Sequence, residues 1–187
     1  MSYQVKFYKG DYRKRQIKAN KDKCILYIEH HFNSSPDPNP NYCVTIVGRN
    51  ASKKSKAFGI AYCKYLSALL DIPIGGGNGI MIGGYSGKGD YNLKFTNMPA
   101  VLLEPLFVSN PKQAQLAKSE NGQVLLAQVL ADNIKEFFPD GGLIGFSVGH
   151  KYKDRYPDDR GANVYGGGTE ADYAEQVLLK AKDLLES

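Results

Sequence analysis

Residues 100–104, AVLLE, form a short continuous apolar run that closes on a carboxylate, Glu104. A run without polar alternation is what a strand buried on both faces of a parallel sheet requires. Working outward, strand-like and helix-like segments alternate in both directions. Upstream, residues 3–8 (YQVKFY) alternate as a strand, and 11–20 (DYRKRQIKAN) read as a helix capped by Asp11. Residues 24–31 (CILYIEHH) are a second strand ending in Glu29, His30 and His31. Residues 42–47 (YCVTIV) resume as strand, and 52–70 form a long amphipathic helix with Ser52 as its cap. Downstream, residues 111–138 read as a short helix to about Lys118 and a longer one from Glu120. Residues 143–148 (LIGFSV) are another buried strand leading to Gly149-His150, and 169–185 the last helix. This alternation predicts an α/β fold in three layers, with a mostly parallel, mixed sheet flanked by helices on both faces.

The chain of 187 residues is 42% hydrophobic, which suits one sizeable core and a single domain over residues 1–187. Cys24, Cys43 and Cys63 are odd in number, widely spaced and without a CxxC pair, so no disulfide framework or cysteine-based zinc site is expected. The formal charge of +5 is densest in residues 9–23 (KGDYRKRQIKANKDK), which read as a solvated helix face or as a surface for an anionic partner. Nucleic acid is not expected, because no basic helix interleaved with aromatics and no zinc-finger spacing occurs. No run approaches the roughly 18 apolar residues of a membrane span, and the N-terminus MSYQVKFYKGDYRKR has no apolar signal region. A soluble protein made in the cytoplasm is therefore expected.

Two loops stand out. Residues 33–41 (NSSPDPNPN) hold three prolines at alternate positions, which precludes both helix and sheet ladder. Residues 75–89 (GGGNGIMIGGYSGKG) hold eight glycines, read as a tight or mobile turn that can approach a bulky ligand. This stretch lacks the GKS/T ending of a phosphate loop.

In open α/β sheets ligands bind beyond the carboxyl ends of strands, where this chain places His31, Glu104 and His150. A fourth polar group, Glu170, lies in the first turn of the last helix. Two histidines and a carboxylate make a common catalytic zinc shell, since they leave the ion Lewis-acidic with one position open. The spacing carries no local signature such as HExxH. A solvated strand end, or a carboxylate stabilising a helix dipole, is the plainer reading of each residue taken alone.

Three motifs add a resemblance. Residues 101–111, VLLEPLFVSNP, resemble the segment VLVExGFxSNP of the zinc-dependent N-acetylmuramoyl-L-alanine amidases that act on bacterial peptidoglycan. Residues 12–34, YRKRQIKANKDKCILYIEHHFNS, resemble that family's Arg-rich helix ending in AN, followed by a strand ending SIHxN. Residues 143–185 are similar to the family's opening segment, a strand ending in GHGG, a loop and a helix begun by glutamate. That segment comes first in the family and last here, so the resemblance implies a circularly permuted amidase fold joined through residues 138–142 (FPDGG). Lys151-Tyr152 stand where the family has Gly-Gly, and Pro105-Leu106 replace its glycine near Glu104.

By this resemblance His31, His150 and Glu170 are zinc ligands and Glu104 is the catalytic carboxylate. His30 is left outside the site, Asn33 falls on a family asparagine, and Glu175 is the alternative to Glu170. The implied reaction is hydrolysis of the amide between N-acetylmuramic acid and L-alanine, on the cell wall after release, as by a phage or prophage lysin. Two other readings stay open: a zinc peptidase cutting another stem-peptide amide, and a non-catalytic cell-wall-binding module. The glycine-rich stretch and residues 152–165 are expected to line the cleft.

Overall fold

The computed structural model describes residues 2–187. Within them the elements run β1 (Tyr3–Phe7), α1 (Tyr12–Lys21), β2 (Leu26–His30), β3 (Val44–Val47), α2 (Lys53–Leu70) and β4 (Ile80–Ile82). They continue through a 3-10 turn at Tyr85–Gly87, α3 (Lys88–Tyr91), β5 (Ala100–Glu104), α4 (Pro111–Lys118), α5 (Glu120–Phe137), β6 (Gly142–Val148) and α6 (Glu170–Glu186). The strands form one sheet in the order β1-β6-β2-β5-β3-β4, parallel throughout except for the antiparallel pair β3 and β5. The mixed α/β sheet anticipated from the sequence is therefore present.

Both faces of the sheet are covered, which is why its central strands tolerate unbroken apolar runs. Alternate residues sort to opposite sides. Leu26, Ile28, Val101, Leu103, Ile144 and Phe146 join the larger core with α2, α4, α5 and α6. Tyr27, Ala100 and Leu102 join a smaller core with Tyr8, Ala19 of α1 and Leu93. No helix of the described residues is long and apolar enough to cross a membrane. Cys24, Cys43 and Cys63 are free and buried.

Several local readings hold and others are corrected. Ser52 caps α2, its side chain accepting from the Ser55 N–H at 3.0 Å. The break after Lys118 occurs at Ser119, which ends α4 and caps α5 through the Gly122 N–H. Asp11 occupies the cap position of α1 but gives the helix no side-chain hydrogen bond. Its carboxylate instead accepts from the N–H groups of Asp154 and Arg155 at 3.1 and 3.3 Å, tying α1 to the loop after β6. The helix face expected to be solvated contains a fully buried cation, Arg15. The glycine-rich stretch, read as loop, contributes the short edge strand β4, whose three residues pair with Thr45, Ile46 and Val47.

The core interpretation is testable at Leu103, fully buried at the centre of the sheet. Leu103→Ala is expected to lower stability by about 2–5 kcal/mol through lost transfer energy and a residual cavity, measured by urea unfolding.

Candidate active site and metal centre

The three middle strands, β6, β2 and β5, run parallel with His30 beside both Val148 and Leu103. Their carboxyl ends therefore finish level, and the residues just beyond or at those ends, His31, His150 and Glu104, meet along one edge. Gly149 lies between β6 and His150 with no room for a side chain, since a Cβ there would stand 2.4 Å from His31 Cε1. His150 itself has φ 61°, a left-handed conformation costing a non-glycine residue of order 1–3 kcal/mol. The surroundings hold it there. Its N–H donates to the Tyr12 hydroxyl at 3.0 Å, and the Arg15 guanidinium binds the carbonyls of Val148 and Lys151 on either side.

Helix α6 begins at Glu170, and its first turn points this carboxylate at both histidines. His31 Nδ1 lies 2.9 Å and His150 Nε2 3.6 Å from Glu170 Oε1. One donor atom from each of His31, His150 and Glu170 falls within 4.8 Å of the others, so the three can hold a metal ion together. Glu175, the alternative, is taken up by Lys151 Nζ at 2.7 Å and by the Tyr152 hydroxyl. The two residues that depart from the GHGG motif therefore tie the His150 turn to α6.

Each imidazole has its other nitrogen engaged by a further carboxylate. His31 Nε2 donates to Glu29 Oε1 at 2.7 Å, and His150 Nδ1 donates to Asp159 Oδ1 at 3.0 Å. Carboxylates in this relation orient a ligating histidine and raise its basicity, so the donor set and its surroundings both fit a divalent ion. Glu29 and Asp159 escaped the sequence reading. The signal for Glu29 was present, because strand alternation puts it on the same face as His31 two residues on, while Asp159 lies in an irregular loop without any periodicity.

The electrostatics follow from burial and contact. Burial pushes the His31 imidazole down, but hydrogen bonds to Glu170 and Glu29 outweigh it and hold the pKa up to about 10. Burial pushes the Glu170 carboxyl up, and the hydrogen bond and charge of His31 together with the charge of His150 bring it below its ordinary value. His30 points to the other face, fully buried, with neither ring nitrogen hydrogen-bonded. Burial and the neighbouring His31 charge hold its pKa down to about 3, which keeps it neutral.

Glu104 makes no contact of this kind. Its Oε2 is buried without a hydrogen-bond partner, and burial pushes its pKa up to about 7. The group faces a cleft of about 420 Å³ shared with His31, His150, Tyr12, Tyr85 and Lys153. Lys153 comes from the loop after β6 and Tyr85 from the glycine-rich stretch, so both segments expected to line the cleft do so. Asn33 is buried away from this cleft, where its backbone bridges to Phe107.

Against known proteins, the family model Amidase_3, N-acetylmuramoyl-L-alanine amidase, matches residues 3–136, well over half the chain. The chain belongs to this family. Its fold is similar to the catalytic domain of CwlV, an N-acetylmuramoyl-L-alanine amidase from Bacillus (Paenibacillus) polymyxa var. colistinus, with 30% identity and a TM-score of 0.57 over 69% of this chain and 66% of that one. An N-acetylmuramoyl-L-alanine amidase from Clostridium difficile 630 gives 18% identity and a TM-score of 0.59 over the same shares. The CwlD amidase from Clostridioides difficile, solved in complex with the GerS lipoprotein, gives 20% and 0.58 over 68% of this chain and 61% of that one. The chain thus spans 66% of the length of the first two and less of the third. No curated protein matches it in a sequence search.

The raised pKa of Glu104 makes a prediction for the metal-free protein. The folded-state value of about 7 exceeds the ordinary 4.5, so the folded form keeps a proton that the unfolded form has lost between those pH values. This contribution is fully present below pH 4.5 and lost as pH rises through 7. Glu104→Gln, which carries no titrating proton, is expected to gain about 2 kcal/mol on wild type between pH 5 and pH 8, at 1.36 kcal/mol per pKa unit. Urea midpoints at the two pH values measure it.

Proposed function

We propose that this chain is a zinc-dependent N-acetylmuramoyl-L-alanine amidase, hydrolysing the amide between N-acetylmuramic acid and L-alanine in peptidoglycan. The observation that carries the reading is the convergence of His31, His150 and Glu170 beside an unpartnered Glu104 in a member of this family. His31, His150 and Glu170 would hold the ion, and Glu104 is the catalytic carboxylate. When bound, zinc supplies Lewis acidity toward water and the scissile carbonyl.

The chain's own residues do the rest. Glu104, with a free oxygen and a pKa near neutrality, takes a proton from the attacking water and hands it to the leaving amine of L-alanine. Asp159 and Glu29 keep the two imidazoles aimed at the centre. Tyr85 and Lys153 wall the cleft in which glycan and stem peptide lie.

The matched segment, residues 3–136, contains His31 and Glu104, whereas His150 and Glu170 lie beyond it. The parallel pairing of β1 with β6 and of β6 with β2 lets the last strand and helix complete a site begun by the first part of the chain. This arrangement supports a circular permutation of the family's order. We take residues 1–187 as one catalytic domain that acts on the cell wall after release, as an endolysin does.

Elemental analysis is expected to find one zinc per chain, and His150→Ala to lose both zinc and the release of dye from labelled peptidoglycan. Glu104→Gln should keep its zinc and lose turnover by at least about 100-fold, the usual contribution of general acid–base catalysis. A Glu104→Gln enzyme with near wild-type rate would rule out the assigned base. Product analysis separates this reaction from its neighbours: new L-alanine amino ends mark the amidase, new D-glutamate ends an endopeptidase, and wall binding without product a non-catalytic module.

A further inference from the structure

Glu29 is the most deeply buried carboxylate in the neighbourhood, with no exposed surface, and it is not among the residues that face the cleft. Its position two residues before His31 falls on the serine of the SIHxN segment that this stretch resembles. Oε1 accepts from His31 Nε2 and from Asn92 Nδ2, each at 2.7 Å, and Oε2 accepts from the Ser147 hydroxyl at 3.2 Å. Ser147 in turn accepts from Arg15 Nη1 at 2.8 Å.

Arg15 is fully buried as well, and its remaining hydrogen bonds go to main-chain carbonyls of Gly10, Val148 and Lys151. One guanidinium therefore braces two things: the turn that carries His150, and through Ser147 the carboxylate that holds His31.

We propose that Glu29, braced by Arg15 through Ser147 and by Asn92, is a positioning residue that fixes His31 with its Nε2 proton directed away from the cleft and its Nδ1 directed to the metal centre. The physical reason is that an imidazole has two chemically similar nitrogens, and the hydrogen bond made by one decides which is left to bind a metal. Burial strengthens the choice, since Glu29 has no solvent-exposed surface and His31 almost none. Arg15 acts on this carboxylate through the Ser147 hydroxyl, which donates to Glu29 Oε2 while accepting from the guanidinium. This inference rests on the metal-centre reading given above.

The test is zinc affinity, measured by competition with a chromophoric chelator, on wild type and Glu29→Gln. Glutamine keeps the size and an accepting oxygen but removes the charge, so zinc is expected to bind about 10- to 100-fold more weakly, as for other partners of ligating histidines. Long-range proton–nitrogen NMR of the zinc-loaded wild type should place the His31 proton on Nε2. Zinc held equally tightly by Glu29→Gln, or a His31 proton on Nδ1, overturns the proposal.

Should Glu29→Gln fail to fold, Asn92→Ala and Ser147→Ala carry the test, each removing one hydrogen bond to Glu29 while leaving its charge. Several-fold weaker zinc binding in both supports the role, and wild-type affinity in both overturns it. Wild type that binds no zinc at all overturns the metal-centre reading and this inference with it, an outcome distinct from zinc bound tightly without any dependence on Glu29.

Discussion

Glu170 is a carboxylate taken out of water and set between two imidazoles, and much of the surrounding structure answers to that placement. An ion of this size loses several kcal/mol of hydration on burial even after relaxation. Here the loss is offset at several points. His31 Nδ1 donates to Oε1, the Phe32 N–H approaches the same oxygen at 3.3 Å, and the Ala162 N–H donates to Oε2 at 3.0 Å. Glu170 is also the first residue of α6, where the helix dipole favours negative charge. The loop that passes over it has a glycine at 161, because a Cβ there would lie 2.4 Å from Glu170 Oε2 and 2.7 Å from His150 Cδ2.

The same charge organises the rest of the site in alternation. Asp159, His150, Glu170, His31 and Glu29 follow one another as carboxylate, imidazole, carboxylate, imidazole, carboxylate. Buried polar groups connected in this way rigidify a site when every member is satisfied and weaken it when one is not. Glu104 is the member left out. Its buried, unpartnered oxygen and raised pKa suit a group whose partner arrives with substrate.

Strand geometry decides which of two adjacent histidines belongs to this array. Successive side chains point to opposite faces, so Glu29 and His31 share a face with Ser147 and Glu104, and His30 goes to the other. There it meets Phe32 edge to ring, with the ring centroids 5.2 Å apart and neither of its nitrogens hydrogen-bonded. In the stretch CILYIEHH the resemblance selected His31 over His30, and strand alternation is the physical reason for that separation. The role of Arg15 was not legible, because it is one of several basic residues in 9–23 and nothing in their spacing marks one arginine for burial.

The sequence by itself determined most of the elements and their type, β4 and α3 excepted. Apolar runs such as AVLLE and LIGFSV, the cap at Ser52 and the break at Ser119 are local signals, read from neighbours a few residues apart. Motif positions also pointed to His31, Glu104, His150 and Glu170 one by one. Only the tertiary structure decided that they meet, since their proximity follows from placing β6 beside β2 and β2 beside β5, pairings between segments over a hundred residues apart in the first case. It also decided that Asp11 would hold a distant loop in preference to its own helix, that a glycine-rich stretch would add an edge strand, and that Arg15, Glu29 and Asp159 would support the histidines. These are consequences of long-range contact, in which a polar group takes whichever partner folding brings within hydrogen-bond reach, and no local pattern encodes that choice.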